Sequence, residues 1–522
     1  MLIDLDRSSQ GSADAADVCV VGAGIAGLVL ATRLAKNGMR VILLEAGGLE
    51  LEDRSQSLYD AEMAGDLHTG TMKGRFRVFG GSSTQWGGQL LPYTEDIFQA
   101  PPACPSPSWP IRASELEPFY PEILSIMGAD DLPFTADLLS ALGHAPVPFS
   151  SRVRLRFSKW APFNRRNLAT SLGRACIEHG SVTVYTHANA VTLNTDASGN
   201  RIHSLTAKNY SGATFEFAAN QFIIASGTIE SSRLVLASGI AREHDQPGRG
   251  FHDHLGIHAA LIEGPARRQM LDRLGPFYVA GTLHTCKLEA SAALRSQQHI
   301  PAVMAHVVIV EPEDSGVAAV RNVLRSLQRG DLRRSFGKDL VPMLRGIGDV
   351  ARLLWYSRVL KRRAVSDRAT VYLNIDTEQV PQPDNRIRLS GTTDALGQPK
   401  AIVDWRVSED DVEAVRRYAA IMKVELESLG IAPLTWLPGV LDRSQPAPSM
   451  ADTFHHMGGL LMGDDPRHSV VDTNLKVHGM DNLYVASCAV FPAGGSSNPT
   501  FTLMALALRL ARQLSRPAPA EA

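Results

Sequence analysis

Residues Gly22 to Gly27 read Gly-Ala-Gly-Ile-Ala-Gly, and an acid, Glu45, follows about twenty positions after the first glycine. Gly22, Gly24 and Gly27 would let a turn approach a pyrophosphate, whose charge the N–H groups at a helix N-terminus stabilise. Glu45 would accept hydrogen bonds from ribose hydroxyls, and its negative charge disfavours a 2′-phosphate, which argues against NADP. On its own this pattern suits FAD and NAD equally, and a purely structural glycine turn is the alternative reading.

The glycines carry weight only if a strand precedes them and a helix follows. Residues 17–21 form a short apolar, β-branched run, the pattern of a buried parallel strand. Leu28, Ala31, Leu34 and Ala35 then recur at helical spacing up to Gly38, and residues 40–44 form a second apolar strand closed by Glu45. The unit is a βαβ of the expected length. Residues 221–228 resemble another such strand running into a small-residue turn, with a helix at 230–237. Alternating segments at 182–191 and 202–208, joined by turn chemistry at 196–200, predict an antiparallel meander. Near the C-terminus a strand (482–486), a Gly/Ser/Pro loop (492–499) and a helix (500–514) follow one another. Nucleotide-type elements thus lie at the beginning, middle and end of the chain.

The chain has 522 residues, enough for two domains sharing a large core. Its 44% hydrophobic and 20% charged content is ordinary for a globular protein, and a net charge of −2 gives no basic field for nucleic acid. The five cysteines are scattered without a close pair, which excludes a compact CxxC metal site and argues against a disulfide framework, and no metal is expected. Residues 1–17 show no apolar core of a signal peptide and no stretch reaches membrane-spanning length, so the expected location is cytoplasmic.

Several ordered motifs decide between the cofactors. Residues 455–459 (His-His-Met-Gly-Gly), 469–472, 477–485, Phe491-Pro492 and Asn498-Pro-Thr500 resemble the C-terminal signature of the glucose-methanol-choline (GMC) oxidoreductases, flavoenzymes that oxidise alcohols. Residues 80–88 (Gly-Gly-Ser-Ser-Thr-Gln-Trp-Gly-Gly) are similar to the family's second flavin-contacting loop, and residues 224–234, 248–254 and 383–397 resemble further family segments. The resemblance implies an α/β fold: a discontinuous Rossmann-type FAD-binding domain (1–95, 170–265 and 450–522) with an inserted α+β substrate domain (96–169 and 266–449) on an antiparallel sheet.

It also implies roles. His455, two residues before Gly458, stands in the family's catalytic position, where a neutral imidazole takes the hydroxyl proton while hydride leaves carbon. Its neighbour His456 is the rival if the register slips, and is otherwise a substrate residue. Asn498 occupies the second catalytic position; a carboxamide is no base near neutrality but can orient a hydroxyl. Asn498-Pro also suits a cap on the final helix. On the same resemblance FAD is bound by Gly22, Gly24, Gly27, Glu45, Gly81, Ser82, Ser83, Thr84, Trp86, Gly87, Ala190, Val191, Ala225, Ser226, Gly227, Ala489, Asn498, Pro499 and Thr500. Pyranose oxidases carry a flavin-bearing histidine where this chain has Gln85, so the FAD is expected to be non-covalent and Gln85 to face substrate. His254 is expected to be structural, and Cys488 an inert core residue.

The similarity to pyranose oxidases and sugar 3-dehydrogenases points to a secondary alcohol on a pyranose or glycoside, with oxygen, a quinone or a redox protein as electron acceptor. An apolar or carrier-linked alcohol is the second reading, and a non-enzymatic or NAD-binding protein the third. Residues 321–363 carry twelve Lys/Arg and three Asp among Leu, Val, Met and Trp355. This basic helical insertion suits a peripheral membrane contact or an acidic substrate, or is simply a solvated face.

Overall fold

The computed structural model describes residues 1–8, 11–12, 15–329 and 347–515. Strand Ala16–Val21 is buried except at Asp17, as its apolar run requires, and lies inside a six-stranded parallel sheet. The order across that sheet is Leu2–Asp4, Val182–Thr186, Val41–Leu44, Ala16–Val21, Ala219–Ile224, Leu483–Val485. Register aligns Val21 with Leu44 on one side and Ile224 on the other, and Ile224 with Val485. The residues after these strand ends, Gly22, Glu45, Ala225 and Ala486, therefore emerge along one edge. Helices Ile25–Lys36 and Thr500–Leu514 pack on each other.

One sequence expectation changes here. Val182–Thr186 is not part of the meander: it pairs in parallel with Leu2–Asp4 and Val41–Leu44. The antiparallel ladder starts at Asn189–Thr195 and continues through Ile202–Lys208 to Thr214–Phe217. Alternation alone does not tell a strand buried at both faces from one in a hairpin.

A large antiparallel sheet runs Thr435–Trp436, His254–Leu261, Thr370–Glu378, Val303–Val310, Thr282–Ala290, Val153–Trp160, Gln89–Leu90. Its strands obey the two-residue period. Cys286, Leu288, Val303, Ala305, Leu373 and Ile375 join one apolar core, shared with Ala414, Val415, Tyr418 and Met422 of helix Glu409–Ser428. The alternate positions, Lys287, His306, Asn374 and Asp376, point to the other face. Because His254–Leu261 is hydrogen-bonded into this sheet, we propose that the boundary between the two parts runs at residue 254 rather than 265. Residues 386–405 do not join it: Arg386–Thr393 and Pro399–Trp405 form a separate sheet with Ala61–Gly65.

Within the basic segment, helices Gly316–Arg329 and Ile347–Arg358 pack together, and Leu327, Trp355, Val359 and Leu360 are exposed. The remainder of that expectation, residues 330–346, lies outside the described residues. The first helix also reaches the loop of residues 80–88, since Gln328 Nε2 donates to Trp86 O at 3.1 Å.

Gly27 shows why the glycine turn tolerates no side chain. A Cβ there would lie 1.8 Å from Gly22 O, a backbone atom with no room to yield. Gly27→Ala is expected to destabilise the protein by about 1–3 kcal/mol through overpacking and to lower its flavin content; urea unfolding and the visible spectrum of the purified variant check both.

Candidate active site

The aligned strand ends open into a cavity of about 630 Å³. Gly22, at φ +102°, turns the chain out of the first strand, and Gly24 sits at the N-cap of Ile25–Lys36 with no atom within 4 Å of where a Cβ would project. Glu45 is buried beside them; its Oε2 accepts from Ala23 N at 3.0 Å and its Oε1 from Gly47 N at 2.9 Å. Burial pushes Glu45 up to about 7 against those hydrogen bonds and the Arg77 charge. Gly81 packs on this turn, where a Cβ would meet Gly24 Cα at 2.9 Å.

Most residues named from the sequence line this cavity: Gly22, Gly24, Glu45, Gly81, Ser82, Trp86, Gly87, Ala190 and Val191, and from later segments Ala225, Ser226, Gly227, Asn498, Pro499 and Thr500. Gln85, His455 and His456 line it too. Four do not. Gly27 is packed under the turn, and Ser83 is buried with its Oγ donating to Gly80 O and accepting from Leu168 N. Thr84 donates to Gly81 O, and Ala489 is enclosed in the core. These four shape the loops behind the wall. Cys488, expected to be inert core, lines the cavity, and burial raises its thiol to about 12, so it stays protonated. Sequence reading missed Arg75 and Arg77, which line the wall and pair with Glu230 at 3.0 and 3.6 Å.

A second chamber of about 100 Å³ adjoins it, lined by His455 and Asn498 together with Gln89, His254, Lys287, His306 and Asp376. His455, Asn498 and Thr453 line both spaces; His456 lines only the larger. Here the outward-alternating strand residues converge. His306 Nε2 donates to Asp376 Oδ2 at 2.8 Å and Asn374 Nδ2 to Asp376 Oδ1 at 2.6 Å. Lys287 is 2% exposed, and among the described residues its ammonium has no hydrogen-bond or ion-pair partner. Burial lowers it to about 8. Lys287, His306, Asp376 and Gln89 were not foreseen; their one signal was a charged or polar side chain at alternate positions of apolar strands.

At the junction Asn498 Nδ2 lies 2.8 Å from His455 Nε2. His455 Nδ1 is 3.0 Å from His254 Nδ1 and 2.9 Å from Thr453 Oγ1, and its backbone N–H donates to Asp253 Oδ1 at 3.0 Å. Burial, with the nearby His254 ring, pushes His455 down to about 4. His456 turns the other way, toward His68 and Asp253; burial and His68 push it down to about 3. This trio is not a metal-ligand set, because His68 Nδ1 accepts from Thr71 N at 3.1 Å. The ring proton of neutral His68 is thereby left on Nε2, facing the Asp253 carboxylate 3.3 Å away.

Comparison with known proteins matches residues 164–256 and 381–507 to two models described as GMC oxidoreductase, and residues 17–91 to one described as FAD dependent oxidoreductase. The chain belongs to the GMC oxidoreductase family. It is 24% identical to the fructose dehydrogenase large subunit of Gluconobacter japonicus, over 95% of this chain and 97% of that one. It is also 24% identical to 6'''-hydroxyparomomycin C oxidase of Streptomyces lividus, over 98% and 93%. Among solved structures, pyridoxine 4-oxidase from Mesorbium loti superposes with a TM-score of 0.57 at 18% identity, covering 95% of this chain and 98% of that one. This GMC oxidoreductase is a FAD-dependent enzyme acting on CH–OH donors. The cavity fits that cofactor: an open glycine turn at a helix N-terminus for the pyrophosphate, an acceptor carboxylate for a ribose, and room for a dinucleotide.

A base with its proton affinity depressed is ready at neutral pH and lost only in acid. Substrate-dependent flavin reduction by this GMC oxidoreductase should be flat from pH 7 down to about 5 and fall as His455 protonates through about 4. Anaerobic stopped-flow across that range checks it; a fall already between pH 7 and 6 would remove His455 as the group that titrates.

Proposed function

We propose that this enzyme oxidises a secondary alcohol on a polyhydroxylated ring, a pyranose or glycoside, to the ketone, with His455 as base and Asn498 orienting the hydroxyl. The observation that carries the substrate class is the chamber next to that pair: Lys287, His306, Asp376 and Gln89 line it. An apolar alcohol would desolvate these groups and return no hydrogen bonds, whereas a ring hydroxyl accepts from the unpartnered Lys287 and donates to an Asp376 oxygen. That argues against the sterol-like alternative. Fructose dehydrogenase and hydroxyparomomycin oxidase, both similar over nearly their whole length, are consistent with it.

The residues act as follows. The substrate hydroxyl displaces Asn498 Nδ2 from the single lone pair of His455 Nε2 and donates to it, and Nε2 takes its proton; the freed Asn498 Nδ2 donates to the substrate oxygen as charge develops there. Lys287 adds a positive field in the same chamber. FAD, held by the glycine turn at Gly22 and Gly24 and by Glu45, would supply the hydride acceptor. Gln85, on the cavity wall where a histidine would be needed for a flavin bond, leaves FAD held by non-covalent contacts alone. Oxygen, a quinone or a redox protein then removes the electrons.

Anaerobic mixing with a panel of pyranoses, glycosides and hydrophobic alcohols tests this. Sugars should bleach the flavin, His455→Ala should keep FAD yet slow bleaching by about 10²–10⁴-fold, and Lys287→Met should weaken sugar binding. Bleaching by hydrophobic alcohols alone would overturn the substrate class.

Among the described residues no helix is long and apolar enough to cross a membrane. The exposed Leu327, Trp355, Val359 and Leu360 beside Arg358, Lys361 and Arg362 support a peripheral contact with an anionic lipid surface. Vesicles rich in phosphatidylglycerol should retain the protein at low salt, and Trp355→Asp should release it; equal retention on neutral vesicles would sink the electrostatic reading.

A further inference from the structure

His254 was expected to be a structural residue of its motif, yet its ring contacts the catalytic imidazole directly. It is the buried first residue of strand His254–Leu261, and its Nε2 lies 3.0 Å from Gly494 O, while its Nδ1 lies 3.0 Å from His455 Nδ1. A carbonyl oxygen only accepts, so His254 Nε2 carries a proton. We propose that His254 is the positioning residue that fixes the tautomer of His455, holding its proton on Nδ1 and leaving Nε2 bare toward substrate. This rests on the reading of His455 as the base.

The polarity runs in one direction along the chain of contacts. In the tautomer with its proton on Nε2, His254 presents a lone pair at Nδ1. His455 Nδ1, 3.0 Å away, must then bear hydrogen, since two lone pairs would otherwise face each other. The neighbouring hydroxyl agrees. Thr453 Oγ1 lies 3.1 Å from Asp253 Oδ1, a carboxylate that only accepts, so its own hydrogen goes there and its lone pair faces His455 Nδ1 at 2.9 Å. At the far end, Asn498 Nδ2 donates to His455 Nε2 at 2.8 Å, the contact a bare nitrogen invites. Asp253, Asp376, Lys287 and His254 are the charged or titratable groups facing His455. None of them places an acceptor against Nε2 that would reverse the order. An imidazole free to hold its proton on Nε2 would present a donor to the substrate hydroxyl and could not act as a base.

Glutamine at position 254 can reproduce this polarity, accepting from His455 Nδ1 through Oε1 and donating to Gly494 O through Nε2. Leucine fills similar space and does neither. His254→Gln is therefore expected to keep most of the flavin-reduction rate, while His254→Leu lowers the limiting rate by about 10²-fold, the lower end of what a positioned base contributes, with KM little changed. Nitrogen-15 NMR of histidine-labelled holoenzyme gives the tautomer without any substrate. The His455 resonances, identified by their loss in His455→Asn, should show a protonated Nδ1 and a bare Nε2 at pH 7. A proton on Nε2, or equal damage from Gln and Leu in variants with full FAD content, would overturn the proposal. A normal rate in His455→Ala would instead overturn the base assignment and leave the NMR result to decide the tautomer by itself.

Discussion

A carboxylate with almost no access to water must be surrounded by donors or it will not stay ionised, and Asp253 meets that condition with groups the active site needs in place. Its Oδ1 accepts from His254 N at 2.7 Å, His455 N at 3.0 Å, Thr453 N at 3.2 Å and Thr453 Oγ1 at 3.1 Å. Burial alone would raise its proton affinity; the His68 ring, 3.3 Å away, and the neighbouring imidazoles hold it well below the usual carboxylate range. The bonded N–H groups flank Phe454, a bulky residue held at φ +65° where such side chains are rare. One anion thus fixes both the strained turn that presents His455 and the start of the strand that carries His254. Charge-assisted hydrogen bonds are the strong ones, and each donor left without its acceptor would cost about 1–3 kcal/mol.

The two sheets divide the remaining work. Parallel register lines up four strand ends so that the glycine turn, Glu45, the small residues after Ile224 and the segment after Val485 all open into one cavity. The antiparallel sheet contributes by its pleat: the same strands that bury Cys286, Ala305 and Ile375 against a helix send Lys287, His306 and Asp376 to the opposite face. The chemistry sits between, on loops that neither sheet would position without the other.

What was legible in the sequence follows from range. The glycine turn with Glu45 is a local pattern within one βαβ unit, and it lies where that pattern implies. His455 and Asn498, 43 positions apart, come together at 2.8 Å, and only the ordered family motifs pointed to both. The chamber was not legible, because Lys287, His306 and Asp376 come from three strands, and each by itself resembles the solvent-facing half of an alternating pattern. Val182–Thr186 was misplaced for a related reason: alternation describes a face, and the partner strand, Val41–Leu44, is far away in sequence. His254 was read as structural since nothing local reveals that its Nδ1 meets another imidazole.

The depressed proton affinity of His455 constrains how the proposed reaction can run. Burial lowers the proton affinity of His455, and an alcohol is a far weaker acid than a protonated imidazole, so making the full alkoxide first is strongly uphill. The gap closes only as the carbon gives up its hydride, because the forming carbonyl turns its hydroxyl into a strong acid. In the proposed reaction proton loss is thus coupled to hydride loss, and Asn498 and Lys287 are placed to stabilise negative charge on the substrate oxygen. Such a mechanism asks the base for direction more than strength: an imidazole nitrogen that is bare, aimed and held still, which is what the contacts running from Gly494 through His254 to His455 are arranged to supply.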